Sequence, residues 1–269
     1  MSDAAALLPP WALQPIAVLD TETTGLAPEQ GDRVIEIAVI TFDQGVPTGT
    51  WATLLDPGTP LHPDVTRITG ITDADVRGQP VFADVAAKLH EVLSGKLLCA
   101  YNVPFDRSFL VHEFARVGSG LPQGAIWLDP LVFAKQMQRG QGNMKLGTVA
   151  KRLGIPLDEA HRASADATCA GNVLMALSRM LPTTLEETLD LQEKWQAEQE
   201  AERASWKNRP GSKGGRPGQR GADGQLGGLD DAGKSAAPAF ARNALGPGYP
   251  HGDELDPVRY LYLRAAGRL

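Results

Sequence analysis

A chain of 269 residues with 42% hydrophobic side chains can bury one packed core and still carry appendages, and a formal net charge of −6 argues against a surface that coats duplex nucleic acid with cations. No apolar run approaches the roughly 20 residues of a membrane span, and no Lys or Arg precedes the small apolar patch at 4–8 as a signal peptide would require. Cys99 and Cys169 each sit inside an apolar stretch, which fits buried thiols in a reducing compartment, so a soluble, cytoplasmic protein without a membrane partner is expected.

Residues 1–14 read as an N-terminal tail. In Pro15-Ile16-Ala17-Val18-Leu19-Asp20-Thr21-Glu22-Thr23-Thr24-Gly25, a short apolar run ends in two carboxylates and a turn. A buried strand closing at Asp20 is the economical reading. Extended side chains alternate faces, so Asp20 and Glu22 point the same way and repel unless a cation lies between them. The same residues also make a good turn, since Thr and Asp oxygens bond nearby N–H groups and Gly accepts positive φ.

Residues 33–42 are rich in β-branched side chains and residues 50–55 alternate less cleanly, which predicts two more strands in an antiparallel meander. A loop through Pro60, Pro63 and Gly70 leads to Thr72-Asp73, where one short helical turn can be capped. Phe82, Val85, Ala86, Leu89 and Leu93 fall at helical spacing. A strand at 96–101 follows, then a helix with Pro104 at an early position and Asp106 in its first turn. A short strand at 125–128 precedes helices at 130–138, 146–153 and 164–181, an order that implies a mixed sheet covered by helices.

Beyond Pro182 the character changes. Thr184-x-x-Glu187 is a capping box opening a charged helix at 183–206. Gly, Pro and polar residues dominate 207–252, the composition of a disordered linker, and 253–269 reads as a short C-terminal helix able to dock on its own domain or on another protein. Residues 203–220 hold six basic and no acidic side chains, and subtracting those charges from the total leaves −12 on the rest. An acidic body carries a basic ribbon.

Two further acids complete a pattern. Asp106 in Tyr101-Asn102-Val103-Pro104-Phe105-Asp106 begins a helix just after a strand, and His161-Arg162-Ala163-Ser164-Ala165-Asp166 sets a His before a second helix-starting Asp. Each Asp alone also suits the dipole of a helix N-terminus, and His161 alone also suits a solvated loop. Taken in order, Asp20, Glu22, Asp106 and Asp166 with His161 resemble the three motifs of the DEDD family of 3′–5′ exonucleases in its His-bearing branch, over about 15–181. Within that family the chain is similar to the proofreading exonucleases of bacterial DNA polymerase III, and Arg33-Val34-Ile35-Glu36-Ile37 and Thr69-Gly70-Ile71-Thr72 also match. The other branch has a Tyr where this chain has Arg162. Epsilon-like members often have a His where this chain has Thr69.

The resemblance implies an α/β fold, a ribonuclease H-like mixed five-stranded sheet flanked by helices, spanning 15–182. It implies that Asp20, Glu22, Asp106 and Asp166 hold two Mg²⁺ ions, with Mn²⁺ a possible substitute, and that His161 takes the proton from the attacking water. By the same resemblance Thr23 and Leu26 contact the terminal nucleotide and Asn102 orients the Asp106 loop. The expected partner is the single-stranded 3′ end of a nucleic acid, DNA before RNA. The C-terminal tail is the candidate contact for a polymerase or clamp partner, and Gln225-Leu226-Gly227-Gly228-Leu229 in the linker faintly resembles a clamp-binding peptide. An RNA-trimming enzyme of the same branch and a non-catalytic binding module are the competing readings. No Gly-x-x-x-x-Gly-Lys loop or Cys-x-x-Cys pair occurs, and His112-Glu113 lacks the second His of a zinc protease.

Overall fold

The central strand, β1 (Ile16–Thr23), keeps Ile16, Ala17, Val18 and Leu19 buried on both faces because helices cover both sides of the sheet. A computed structural model describes residues 7–157 and 161–207, with side chains to 205. Lys207, expected to open the linker, ends a helix instead; the rest of the linker expected at 207–252, the C-terminal helix expected at 253–269, the clamp-like peptide and most of the basic ribbon lie outside the described residues.

The sheet runs β3-β2-β1-β4-β5. β2 (Val34–Asp43) pairs antiparallel with β1 and with β3 (Val46–Leu54), while β4 (Leu97–Cys99) and β5 (Trp127–Leu128) continue parallel on the other side. The parallel pairs require crossovers. These are α1 (Pro63–Thr69), α2 (Asp73–Val76) and α3 (Phe82–Leu93) before β4, and α4 (Val103–Arg116) before β5. Then come α5 (Pro130–Met137), α6 (Leu146–Leu153), α7 (Ala163–Ser178) and α8 (Leu185–Lys207).

Strand alternation sorts the core into two layers. Ile16 and Val18 of β1, with Ile40 and Phe42 of β2, meet α5, α6 and α7. Ala17 and Leu19, with Ile37 and Val39, meet Leu89, Phe109 and Phe114 from α3 and α4. α7 lies on this sheet at close range, because Gly171 faces the Phe42 ring and any Cβ there would overlap it.

Several boundaries differ from the sequence reading, among them that of β3, which runs Val46–Leu54 where 50–55 was expected. β1 continues three residues past Asp20, since Thr21 and Glu22 stay paired to Ile37 and Glu36. Residues 63–69, read as loop, form α1, with Pro63 at its first turn and Gly70 closing it at φ 73°. The tail assigned to 1–14 is corrected from residue 10 onward: Trp11 and Ala12 are buried in the α7-side core, and the Trp11 indole N–H donates to the Pro182 carbonyl. The charged helix set apart at 183–206 likewise joins the core. Thr188 and Trp195 of α8 are buried, and Trp195 meets Phe133 of α5 edge to face at 6.3 Å. Apolar residues on one stripe suffice for this docking when the opposite face is charged.

Gly171→Ala gains up to about 1 kcal/mol of helix propensity but forces a methyl into a filled space, which costs about 1–3 kcal/mol. The clash wins because Phe42 is fully buried. Thermal denaturation is expected to show a lower melting temperature for this variant than for the parent.

Candidate active site

The acids gather at the end of β1. Asp20 and Glu22 leave its α7-facing side, where Asp166 enters from the first turn of α7. Carboxylate oxygens of Glu22 and Asp166 and a ring nitrogen of His161 lie within 4.8 Å of one another. Asp106 arrives from the opposite layer. It sits in the first turn of α4, only 3% exposed, and its Oδ1 accepts the Thr21 hydroxyl at 2.8 Å. Thus the site straddles the sheet's end, with three of the five expected residues in one tight group and Asp20 and Asp106 adjoining it.

Electrostatics report the crowding. Burial, then the charges of Asp106, Glu22, Asp166 and Glu36, hold the Asp20 carboxyl well above the usual carboxylate range. Burial and the Asp166 and Glu36 charges push Glu22 up to about 8, against a smaller opposing pull from Arg162. Burial pushes Asp106 up to about 7 despite the Thr21 hydroxyl. Asp166 is raised by burial, with the His161 backbone N–H and imidazole pulling the other way. Carboxyls forced together so that they resist ionising are a hard-oxygen donor set, and a divalent cation fits them.

His161 owes its placement to two constraints. Its backbone is left-handed at φ 68° and its N–H donates to Asp166 Oδ2 at 2.8 Å. The next residue, Arg162, reaches across to Glu36 of β2 at 2.8 Å, and the Ala163 N–H donates to the same carboxylate at 3.2 Å. Glu36 is 4% exposed and stands directly opposite Glu22 in the ladder. Sequence reasoning matched Glu36 to a motif without giving it a role. The signal available was an acid inside an otherwise apolar strand, which needs a cationic partner when buried.

Of the residues expected to touch substrate, Leu26 is 49% exposed at the tip of the loop after β1. The Thr23 hydroxyl donates to the Gly25 carbonyl at 2.6 Å, so it shapes this turn. Asp32 braces the loop by accepting from the Thr24 hydroxyl and the Ala27 N–H, and its carboxylate occupies the place a Cβ on Gly25 would need. Asn102 acts through its backbone. It caps α4 at φ 82° and its N–H donates to Asp129 Oδ1 at 3.0 Å.

A mixed sheet that brings acids from a central strand and two helix N-termini to one end defines an α/β protein with an acidic, cation-seeking cleft. The family model for exonucleases of the RNase T type matches residues 17–174, more than half of the chain, and the chain belongs to that family. Among curated relatives it is 29% identical over 168 residues to the 3′-5′ exonuclease DinG of Bacillus subtilis, covering 62% of this chain and 18% of that protein. It is 33% identical over 162 residues to the PolC-type DNA polymerase III of Lacticaseibacillus paracasei, covering 60% of this chain and 11% of that one. A DNA polymerase III epsilon-like protein of Rhodobacter capsulatus is 32% identical over 169 residues, covering 61% and 23%. The chain therefore spans under a quarter of the length of each of these relatives. Solved structures share the ribonuclease H-like fold. Zinc-bound E. coli exonuclease I in complex with single-stranded DNA superposes with a TM-score of 0.53 at 25% identity, covering 61% of this chain and 40% of that one. Exonuclease X in complex with 5′-overhanging duplex DNA gives 0.53 at 22%, covering 66% and 99%. No helix among the described residues is long and apolar enough to cross a membrane.

Unfolded carboxyls ionise near their ordinary values of 3.8 for Asp and 4.5 for Glu, whereas folded Asp106 and Glu22 hold their protons to about 7 and about 8. Between those limits the folded chain binds more protons, so raising the pH favours unfolding. In EDTA, urea denaturation is expected to show stability falling from pH 5 to pH 8 by on the order of a few kcal/mol. Added Mg²⁺ or Mn²⁺ at pH 8 is expected to restore it, because a bound cation offsets the same repulsion.

Proposed function

We propose that this chain is a divalent-metal-dependent 3′–5′ exonuclease that removes nucleotides from the 3′ end of single-stranded DNA, in replication proofreading or repair. The observation that carries the reading is the meeting of Glu22, Asp166 and His161 within 4.8 Å at the end of the strand that also bears Asp20. Relatives named as DNA polymerase III chains and a 3′-5′ exonuclease support DNA over RNA.

Asp20, Glu22, Asp106 and Asp166 would hold Mg²⁺, two ions by preference and Mn²⁺ as a substitute, which when bound neutralise phosphate charge and acidify a water. The remaining roles belong to the chain. His161, exposed on its loop and fixed through its own N–H to Asp166, takes the proton of the attacking water. Leu26 offers an exposed apolar surface to the terminal base, held out by the turn that Thr23 closes. Asn102 sets the start of α4 and hence the height of Asp106. With an acidic body the enzyme grips the last few nucleotides of a single strand instead of coating a duplex, and the basic ribbon at 203–220 serves first as a solubilising linker, with weak, salt-sensitive phosphate contacts as the second reading. Cytoplasmic location and a polymerase partner complete the proposal.

Matched 3′-labelled DNA and RNA oligonucleotides with Mg²⁺ or Mn²⁺ test the substrate. Mononucleotide release from DNA is expected; a strong RNA preference would make the chain an RNA-trimming enzyme, and release from neither would make it a binding module. His161→Ala is expected to lower kcat by about 10²–10⁴. Asp20→Ala and Asp166→Ala are expected to abolish turnover; the metal-free melting temperature is expected to hold or rise for Asp20→Ala, which relieves like-charge repulsion, and to hold for Asp166→Ala, where that relief is offset by loss of the His161 N–H bond. Removing 208–269, beyond the end of α8, is expected to leave hydrolysis of short oligonucleotides intact.

A further inference from the structure

We infer that Gln192, on a helix outside the matched family residues, is a positioning residue for the Asp106 carboxylate and acts on it through Asp129. β5 is the outer strand of the sheet on its parallel side, and its free edge needs partners for the Trp127 carbonyl and the Asp129 N–H. The side-chain amide of Gln192 supplies both. Its Oε1 accepts the Asp129 N–H at 2.7 Å and its Nε2 donates to the Trp127 carbonyl at 3.0 Å, as a neighbouring strand would.

Asp129, 4% exposed, carries this restraint inward. Its Oδ1 accepts the Asn102 N–H at 3.0 Å and the Leu131 N–H at 2.9 Å, and its Oδ2 accepts the Val103 N–H at 3.0 Å. Those bonds fix the left-handed Asn102 and the first residue of α4, three positions before Asp106. A shift of Asp129 therefore moves the helix start that decides where Asp106 meets Thr21. Gln199 provides the comparison. It too bridges α8 to the body, donating from Nε2 to the Val132 carbonyl at 3.0 Å, but Val132 lies in α5 and reaches Asp129 only through a backbone bond to its carbonyl at 3.1 Å, not through the carboxylate that holds the α4 cap.

The kinetic part rests on the exonuclease reading; the metal-binding part does not. In the full chain, Gln192→Met and Gln199→Met each remove an amide at nearly constant volume. At a temperature well below both melting points, Gln192→Met is expected to lower kcat by about 10–100-fold, the range for loss of a group that orients a ligand, with KM for the oligonucleotide unchanged. Calorimetric titration with Mn²⁺ is expected to show weaker binding for Gln192→Met and parental binding for Gln199→Met. Parental kcat and Mn²⁺ affinity in Gln192→Met, or equal losses in both variants, would overturn the inference. A parent chain that binds Mn²⁺ yet frees no nucleotide would defeat the exonuclease reading alone, and weaker Mn²⁺ binding by Gln192→Met would still support the positioning role.

Discussion

Mutual repulsion of buried carboxylates is the constraint around which the rest of this structure is arranged. Burial raises the proton affinity of Asp20, Glu22, Asp106 and Asp166 more than any single neighbouring charge does, and the charges of Asp106 and Asp166 add to it at Asp20 and Glu22. Glu22 and Glu36 even oppose each other across the β1–β2 ladder, a placement that destabilises a sheet when both are charged and unpartnered. Glu36 is tolerated because the Arg162 guanidinium and the Ala163 N–H take both its oxygens. The pairing does two things at once: it neutralises an acid beside the cleft, and it ties the loop bearing His161 to the sheet. What remains uncompensated is concentrated on the residues that a cation would bridge.

The backbone shows where the fold accepts strain to achieve this. Among the described residues only Gln44, Asn102 and His161 adopt positive φ without being glycine. Asn102 immediately precedes the helix that delivers Asp106, and His161 lies two residues before the helix that delivers Asp166. Such conformations cost about 1–3 kcal/mol and persist where surrounding bonds over-determine them. Here the bonds are identifiable, the Asn102 N–H on Asp129 and the His161 N–H on Asp166. Asn and His accept the left-handed region better than most side chains, so the sequence at both sites agrees with the geometry.

Much of this was legible because the informative features are local. A short apolar run marks β1, β-branched richness marks β2, helical spacing marks α3, and each acid sits in the last half of a strand or in a first helical turn, where a short motif reveals it. What escaped depends on partners far along the chain. Glu36 meets Arg162 across 126 positions and Trp11 meets Pro182 across 171, and nothing near either residue announces the other. α1 was hidden because Pro63 and Gly70 punctuate a loop as readily as they cap a seven-residue helix. α8 looked detached because its charges outnumber the few residues, Thr188, Trp195 and Gln192 among them, that dock it.

The Leu26 loop shows how an exposed apolar side chain can be held out without collapsing onto the core. Leu26 would bury itself if its loop were free, since hiding a leucine is worth about 1.5–3 kcal/mol. Two acids prevent that. Asp32 fastens Thr24 and Ala27 from inside the turn, and the fully buried Glu113 of α4 grips Arg33 at 2.8 Å, Arg116 at 3.2 Å and the Val34 N–H at the turn's far end. Arg116 also donates to the Pro28 carbonyl at 2.9 Å. Glycine at position 25 is required because the Asp32 carboxylate fills the space of a side chain there. A glutamate so deeply buried is costly unless paired, and its pairing with two arginines turns that cost into rigidity beside the cleft. The same helix thus fixes Asp106 at its first turn and the Leu26 loop near its last, so the metal-seeking acids and the apolar surface that would meet a terminal base hold a common frame.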